Sequence, residues 1–393
     1  MTDLDDLRRR IRSATLTDED ALLAGLRQGS RLDADFRARA ATDGAALVRR
    51  IRSDAAPGMM EVFLAEYGLS TDEGVALMCL AEALLRVPDA PTIDALIEDK
   101  IAPSEWGRHL GHSSSSLVNA STWGLMLTGK VLTDGTGMAG VLRAMVRRLG
   151  EPVIRVAVQR AMREMGQQFV LGETISDALD RGRAARAKGY TFSYDMLGEA
   201  ALTAADAADY FDAYAGAIAH LAKARSGTDI RRNPGISVKL SALHPRYEQS
   251  QRDRVMAELV PRLADLAGRA RRAGMGFNID AEEADRLDLS LDVIQAVLRR
   301  PDLAGWDGFG VVVQAYGKRA TAVIDWLHAL AVRLDRRIMV RLVKGAYWDS
   351  EIKRAQMDGL TGFPVFTRKA ATDVHYLLCA ERLLGLTDRI YPQ

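Results

Sequence analysis

The stretch IMVRLVKGAYWDSEIKRAQ, Ile338 to Gln356, decides how the chain is read. Ile338, Met339, Val340, Leu342 and Val343 form the near-continuous apolar run of a strand buried in a parallel sheet. Arg341 and Lys344 interrupt that run, and Gly345, Ala346, Tyr347 and Trp348 follow where the strand should end. A cation on a core strand is tolerated where it points into a polar mouth and meets a carboxylate or an anionic ligand. The stretch therefore predicts a strand whose tip lines a site.

Working outward, five further short runs resemble strands: YTFSYDML, GISVKLSAL, GFNIDAEE, GFGVVVQAY and the final RIYPQ. Amphipathic segments separate them, such as Ala320, Val323, Ile324, Leu327 and Ala331, or the run entered by a Thr203 cap with Asp206 at the third helical position. Strands alternating with helices predict a parallel α/β architecture from Tyr190 onward. The tips are polar in succession: Asp195, Lys239, Asp280, Gln314 and Arg341. In a closed (βα)8 TIM-like barrel such tips converge on one face, where catalysis sits, whereas an open sheet would spread them along an edge. A single pair such as Lys239 with Asp280 reads equally well as a structural ion pair. Five polar tips together favour a barrel mouth, of which strands one to six are present. Gly345 and Ala346 leave the backbone open to close approach, and Tyr347 and Trp348 suit a planar ligand beside Arg341. The segment from Gly345 to Phe366, with Gly359, Gly362 and Pro364, reads as a long functional loop.

Toward the N-terminus, residues 1–112 are helical in pattern, with Leu22, Leu23, Leu26, Leu32, Phe36, Leu47, Val48 and Ile51 at helical spacings. Ser70 with Glu73 forms a capping box, and Thr92 caps the next segment. Nothing in this part has chemical spacing. Residues 113–189 read as a Ser- and Gly-rich connector followed by helices, one of them starting at Glu151–Pro152.

Composition narrows the function. With 53 Lys plus Arg against 52 Asp plus Glu, the chain lacks the basic footprint of a nucleic-acid protein, and no such partner is expected. Two cysteines, Cys79 and Cys379, lie far apart and give neither a disulfide framework nor a zinc site; the reading is a reduced, cytoplasmic chain. No run approaches the ~18 apolar residues of a membrane span, and the start has no signal-peptide core. Peripheral contact with a membrane stays open. His109 and His112 lack the further ligands a metal needs, so no metal is expected. GTGMAG, Gly135 to Gly140, has the dinucleotide spacing without the strand and acidic residue that would give it meaning. His244, after the second strand run, is a candidate for the rim of the site.

ISVKLSALHPRYE, GFNIDAEEADRLDLSLDVI, VRLVKGAYWDSEIKRAQ, FPVFTRKAATDVHYLLCAERLL and RIYPQ together resemble the proline dehydrogenase domain of the proline utilisation A flavoproteins. The resemblance implies a distorted (βα)8 barrel holding FAD, hydride transfer from L-proline to flavin N5 to give 1-pyrroline-5-carboxylate, and electrons passed to a membrane quinone. It implies that Arg341 reaches the flavin N5 region, that Gln314 meets the pyrimidine edge, and that Lys344, Gly345, Ala346, Tyr347 and Trp348 form the flavin-binding strand tip. Thr367 and Lys369 would lie near the cofactor's pyrophosphate and ribose. Lys239 would meet the substrate carboxylate, with Asp280 and Asp195 as acids of the same site. The family also implies a homo-oligomer and a second, NAD-dependent aldehyde dehydrogenase module. That module, an N-terminal ribbon-helix-helix segment, strands seven and eight, and paired arginines for the proline carboxylate are all expected outside this chain. The chain alone is then expected to be inactive. Two other readings stand beside this one: a Schiff-base lyase or aldolase using Lys239 or Lys344 as the amine, and a helical scaffold with a non-catalytic half barrel.

Overall fold

Side chains alternate between the two faces of a strand, so a row of residues in register across a parallel sheet shares one face. That rule organises the computed structural model, which describes residues 3–54 and 170–393. The expectations on Ser70, Glu73, Cys79, Thr92, His109, His112, Gly135–Gly140 and Glu151–Pro152 lie outside those residues. The chain divides into two units, Met1–Arg37 with Thr174–Gln393, and Ala38–Glu173.

In the first unit, α1 (Leu4–Ser13) and α2 (Glu19–Gln28) come first, and α3 (Ala34–Asp54) leads into the second unit. After α4 (Ile175–Ala187) comes the sheet. Its strands are β1 (Ser193–Asp195), β2 (Gly235–Val238), β3 (Phe277–Ile279), β4 (Phe309–Gln314), β5 (Ile338–Val343) and β6 (Ile390–Pro392). All neighbours pair in parallel and in chain order. Parallel neighbours need long crossovers. These are α5 (Ala204–Lys223), then the short α6 (Leu240–Leu243) with α7 (Arg252–Arg272), then α8 (Leu287–Leu298) and α9 (Ala320–Arg333). The expected parallel α/β half with six strands is present, preceded by helices. The Thr203 capping box is also present: the Thr203 hydroxyl accepts from Asp206 N–H while the Asp206 carboxylate accepts from the Thr203 N–H.

The last crossover differs from expectation. Gly345 to Phe366 is not an irregular loop, because α10 (Trp348–Met357) occupies half of it, before α11 (Lys369–Leu384). Asp349 and Glu351 sit in the first turn of α10, where the helix dipole favours acids. Gly359 stops the helix at φ +64, and the Leu360 N–H closes back on the Ala355 carbonyl at 3.0 Å.

The core lies between strands and helices. Ile236, Phe277, Phe309 and Val340 of the strands are buried, as are Val323, Ile324, Leu327 and Leu330 of α9, spaced as one helical face. Trp326 of the same helix is also buried. On α1, Leu4, Leu7, Arg8 and Ile11 form a buried stripe. Arg8 enters this interface because its charge is met there. Its Nη2 donates to the Asp288 carbonyl at 2.8 Å and to Asp292 at 2.9 Å, and the guanidinium lies 5.5 Å from the centre of the Trp326 ring.

One row across the sheet runs Asp195, Ser237, Asn278, Gly310, Met339 and Tyr391. Asn278 is buried and donates to the Ser193 hydroxyl at 3.1 Å. Gly310 faces it, and a Cβ there would overlap the Asn278 amide oxygen. A Gly310→Ala change is expected to cost about 1–3 kcal/mol by overpacking, read as a lowered denaturation midpoint. Adding Asn278→Ala should recover most of the loss; equal midpoints for the single variant and the unaltered chain would refute the steric account.

Candidate active site

The same alternation builds the site. Lys239 and Asp280 lie two residues beyond Ser237 and Asn278, and Arg341 two beyond Met339, so all three are on the face of the Asn278 row. Between them on β4 stands Val312, the register partner of Arg341. An apolar residue there leaves Arg341 to cross over β4 and bond the Asp280 carboxylate, which it does through Nη2. The other Asp280 oxygen lies 3.4 Å from the Lys239 ammonium. Lys239 also meets Glu199 at 2.9 Å and Asp195 at 3.6 Å. Four of the five polar tips named from the sequence therefore form one network. The fifth, Gln314, donates to the Glu282 carbonyl at 2.8 Å and pins the loop after β3.

Glu199 is the member that sequence reasoning missed. It lies in the loop after β1, its side chain only 1% exposed. The Tyr214 hydroxyl of α5 donates to Glu199 at 3.2 Å and accepts from the Lys239 N–H at 3.2 Å. The available signal was its position, four residues past the first polar tip in a loop that faces the mouth. Glu282 was missed as well; its carboxylate accepts from the Ser241 N–H at 3.0 Å and pairs with Arg286 at 2.7 Å. His244 is not a rim residue, being buried and paired with Glu258 of α7 at 3.2 Å.

The network sets its own ionisation. Burial, with the charge of Asp195, pushes the Asp280 carboxyl up to about 6, against the pull of Arg341 and Lys239. For Lys239, burial alone would lower the ammonium. The Glu199 hydrogen bond and the charges of Asp195, Glu199 and Asp280 overcome that and hold it above the ordinary lysine range. The amine stays protonated at neutral pH, and a protonated amine is a poor nucleophile. Burial pushes the Tyr347 phenol up to about 12, so it remains a hydrogen-bond donor.

A second group gathers past the tip of β5. Lys344 and Lys369 both pair with Asp373, the latter at 2.7 Å. Thr367 gives its N–H and its hydroxyl to Glu19, each at 2.9 Å. Trp348 donates its indole N–H to the Phe366 carbonyl at 2.7 Å and is otherwise exposed, as are Gly345 and Ala346. Gly345 adopts φ +148, and a Cβ there would strike the Tyr316 ring, so the tips of β4 and β5 approach at a point only glycine allows. The Arg341 Nε is buried without an acceptor. An orphaned donor beside an open, glycine-lined backbone and an exposed indole suits a planar heteroaromatic ring with acceptor edges. These residues fit the flavin that the sequence resemblance implies.

Comparison with known proteins places the chain in one family. A family model described as proline dehydrogenase matches residues 178–393, and one described as the proline utilization A proline dehydrogenase N-terminal domain matches 5–52. A third, the DNA-binding domain of proline dehydrogenase, matches 59–169. The balanced charge that argued against a nucleic-acid partner thus stands beside a region whose family description names DNA. Bifunctional protein PutA of Klebsiella aerogenes is 57% identical over 338 residues, 86% of this chain and 26% of its own length. The PutA of Rhizobium meliloti is 53% identical over 374 residues, covering 94% of this chain and 30% of its own. The chain thus spans between a quarter and a third of these relatives. A crystal structure of a mutant of Bradyrhizobium japonicum proline utilization A (PutA) matches with a TM-score of 0.69 at 50% identity, over 96% of this chain and 38% of that one. PutA from Bdellovibrio bacteriovorus, inactivated by N-propargylglycine, matches at 0.58 and 25% identity, over 82% and 34%.

Two outcomes follow for the network. The folded Asp280 titrates near pH 6, above the ~3.9 of an exposed aspartate. Its contribution to stability is therefore fully present below pH ~4 and is lost as pH rises through 6. Urea unfolding across that range should show a downward slope in the unaltered chain that Asp280→Asn removes; parallel pH profiles would contradict the assignment. Separately, borohydride with a small carbonyl compound at pH 7 should leave Lys239 unmodified, and an adduct on that residue by mass spectrometry would restore the Schiff-base reading.

Proposed function

The chain belongs to the proline dehydrogenase family, and from that premise we propose that it carries the FAD-dependent site that oxidises L-proline to 1-pyrroline-5-carboxylate. The single observation behind this reading is the network of Lys239, Glu199, Asp195, Asp280 and Arg341 beside the open tip of β5. The flavin, when bound, supplies a two-electron acceptor.

The chain's own residues do the rest. Lys239, held protonated by carboxylates on three sides, is the cation for the substrate carboxylate. Asp280 changes protonation close to neutral pH and can hold a proton released near the substrate amine. Arg341, fixed at one end by Asp280, keeps an Nε donor without an acceptor that would meet the acceptor edge of the cofactor ring. Gln314 borders that edge, held through the Glu282 carbonyl. Lys344, Gly345, Ala346, Tyr347 and Trp348 would bound the ring, and Thr367 and Lys369 would hold the pyrophosphate. The bifunctional relatives support placing the reaction in a longer route from proline to glutamate. A membrane quinone as final acceptor, peripheral membrane contact and a homo-oligomer are parts of the same proposal. They are compatible with the finding that no helix among the described residues is long and apolar enough to cross a membrane.

The aldolase alternative needs a neutral amine at Lys239 or Lys344. Lys239 lies among three carboxylates, and the hydrogen bond to Asp373 raises Lys344 above its ordinary range.

Arg341→Met, made in the polypeptide that carries this chain, tests the proposal. Loss of a charge-assisted hydrogen bond of about 1.5–3 kcal/mol should weaken flavin retention by roughly ten- to a hundredfold. Arg341 also holds the Asp280 carboxyl down, so any inflection near pH 6 in proline-dependent flavin reduction should move to higher pH in the variant. Unchanged flavin content together with an unchanged reduction rate would sink the assignment.

A further inference from the structure

The N-terminal segment that shows no chemical spacing in sequence reaches the cofactor side of the site. None of the residues of α2 is fully buried, Leu22, Leu23 and Leu26 being half-buried, and polar contacts at both ends tie it to α11 and the turn before it. At its start, Glu19 accepts from the Thr367 N–H and hydroxyl at 2.9 Å each and from Arg368 Nε at 3.3 Å, while Asp20 accepts from Arg368 Nη2 at 2.8 Å. At its other end, Glu381 accepts from the Ser30 hydroxyl and the Arg31 N–H, both at 2.6 Å. The Glu19 side chain is only 14% exposed. Lys318, 6% exposed, lies in the field of Glu19 and Asp18, and its ammonium has no hydrogen-bonded or ion-paired partner among the described residues.

A backbone N–H, a hydroxyl, a guanidinium and an unpartnered ammonium are the donors that a phosphate oxyanion takes. Here the Glu19 carboxylate holds the first three and sets its field on the fourth. The charges repeat the point. Lys318, Lys344, Arg368 and Lys369 are matched by Asp18, Glu19, Asp20 and Asp373. Asp18, Glu19 and Asp20 all sit at the start of α2, so undocking that helix would leave the turn strongly cationic, with Asp373 alone opposing it.

We propose that α2 is a latch: Glu19 occupies the oxyanion position of the Thr367–Lys369 turn and competes with the pyrophosphate of a dinucleotide cofactor. Cofactor entry then requires α2 to leave. The absence of any fully buried residue in α2 suits such a part, since elements with little buried apolar surface open at low cost. This rests on reading the turn as the pyrophosphate side of the proposed flavin site.

The test is calorimetric binding of inorganic pyrophosphate to the whole chain and to two variants. Glu19→Gln should bind about tenfold more tightly, equivalent to about 1.4 kcal/mol. Glu381→Gln touches no donor of the turn but loosens the far end of α2, and should also bind more tightly, by a few-fold. In the unaltered chain, pyrophosphate should speed tryptic cleavage after Arg27 and Arg31. Unchanged or weaker binding in both variants, or slower cleavage with pyrophosphate, would make Glu19 a brace and overturn the latch. Binding to none of the three would remove the oxyanion site itself and the latch with it. The flavin content of Arg341→Met would still judge the proposed activity separately.

Discussion

One buried carboxylate holds the site together. Asp280 is shared between the Lys239 ammonium on β2 and the Arg341 guanidinium on β5. Removing either cation leaves a charge in the interior that its surroundings do not repay. Removing the carboxylate leaves two cations facing one another. The residues that serve the proposed chemistry are thus also those that pull the tips of β2, β3 and β5 toward a common point. Val312 matters here through what it lacks. A polar side chain at that position would compete for Arg341, and the pair would no longer span β4.

How much of this was readable in sequence follows from periodicity. Strand tips were visible because a parallel sheet fixes side-chain direction with period two. Once the runs around Val238, Ile279 and Val340 are aligned, Lys239, Asp280 and Arg341 must share a face. Glu199 obeys no such rule. It sits in an irregular loop, and only Tyr214 on the following helix turns it toward Lys239. The helix at Trp348–Met357 escaped notice because its glycine-rich flanks read as loop, although Gly359 serves as its stop signal. Glu19 lies 348 residues from Thr367, a separation over which no local pattern in a single sequence carries information.

The proposed phosphate side shows a different economy of charge from the proposed substrate side. Around Lys239 the carboxylates are fixed by strands and, at Glu199, by the buried Tyr214 hydroxyl, so their field is permanent. Around Thr367 and Arg368 the opposing acids ride on a surface helix with no buried residue. The two halves of one mouth therefore differ in how firmly their counter-charges are attached, and α1, clamped through Arg8, sets where the surface helix begins.

The order of the strands has a consequence for how the chain is made. Each strand pairs only with its sequence neighbours, so the sheet can grow strand by strand behind a ribosome, each addition meeting a finished edge. Helices α1 and α2 are exceptions, and the partners of α2 come later still. Arg8 finds its partner Asp292 only 284 residues later. At the usual elongation rate of about 5–20 residues per second, α1 waits roughly 15–60 seconds before its interface exists. Throughout that interval Leu4, Leu7 and Ile11 form an apolar stripe without the interface that buries it in the finished fold, and such a stripe on a nascent polypeptide is what a chaperone binds.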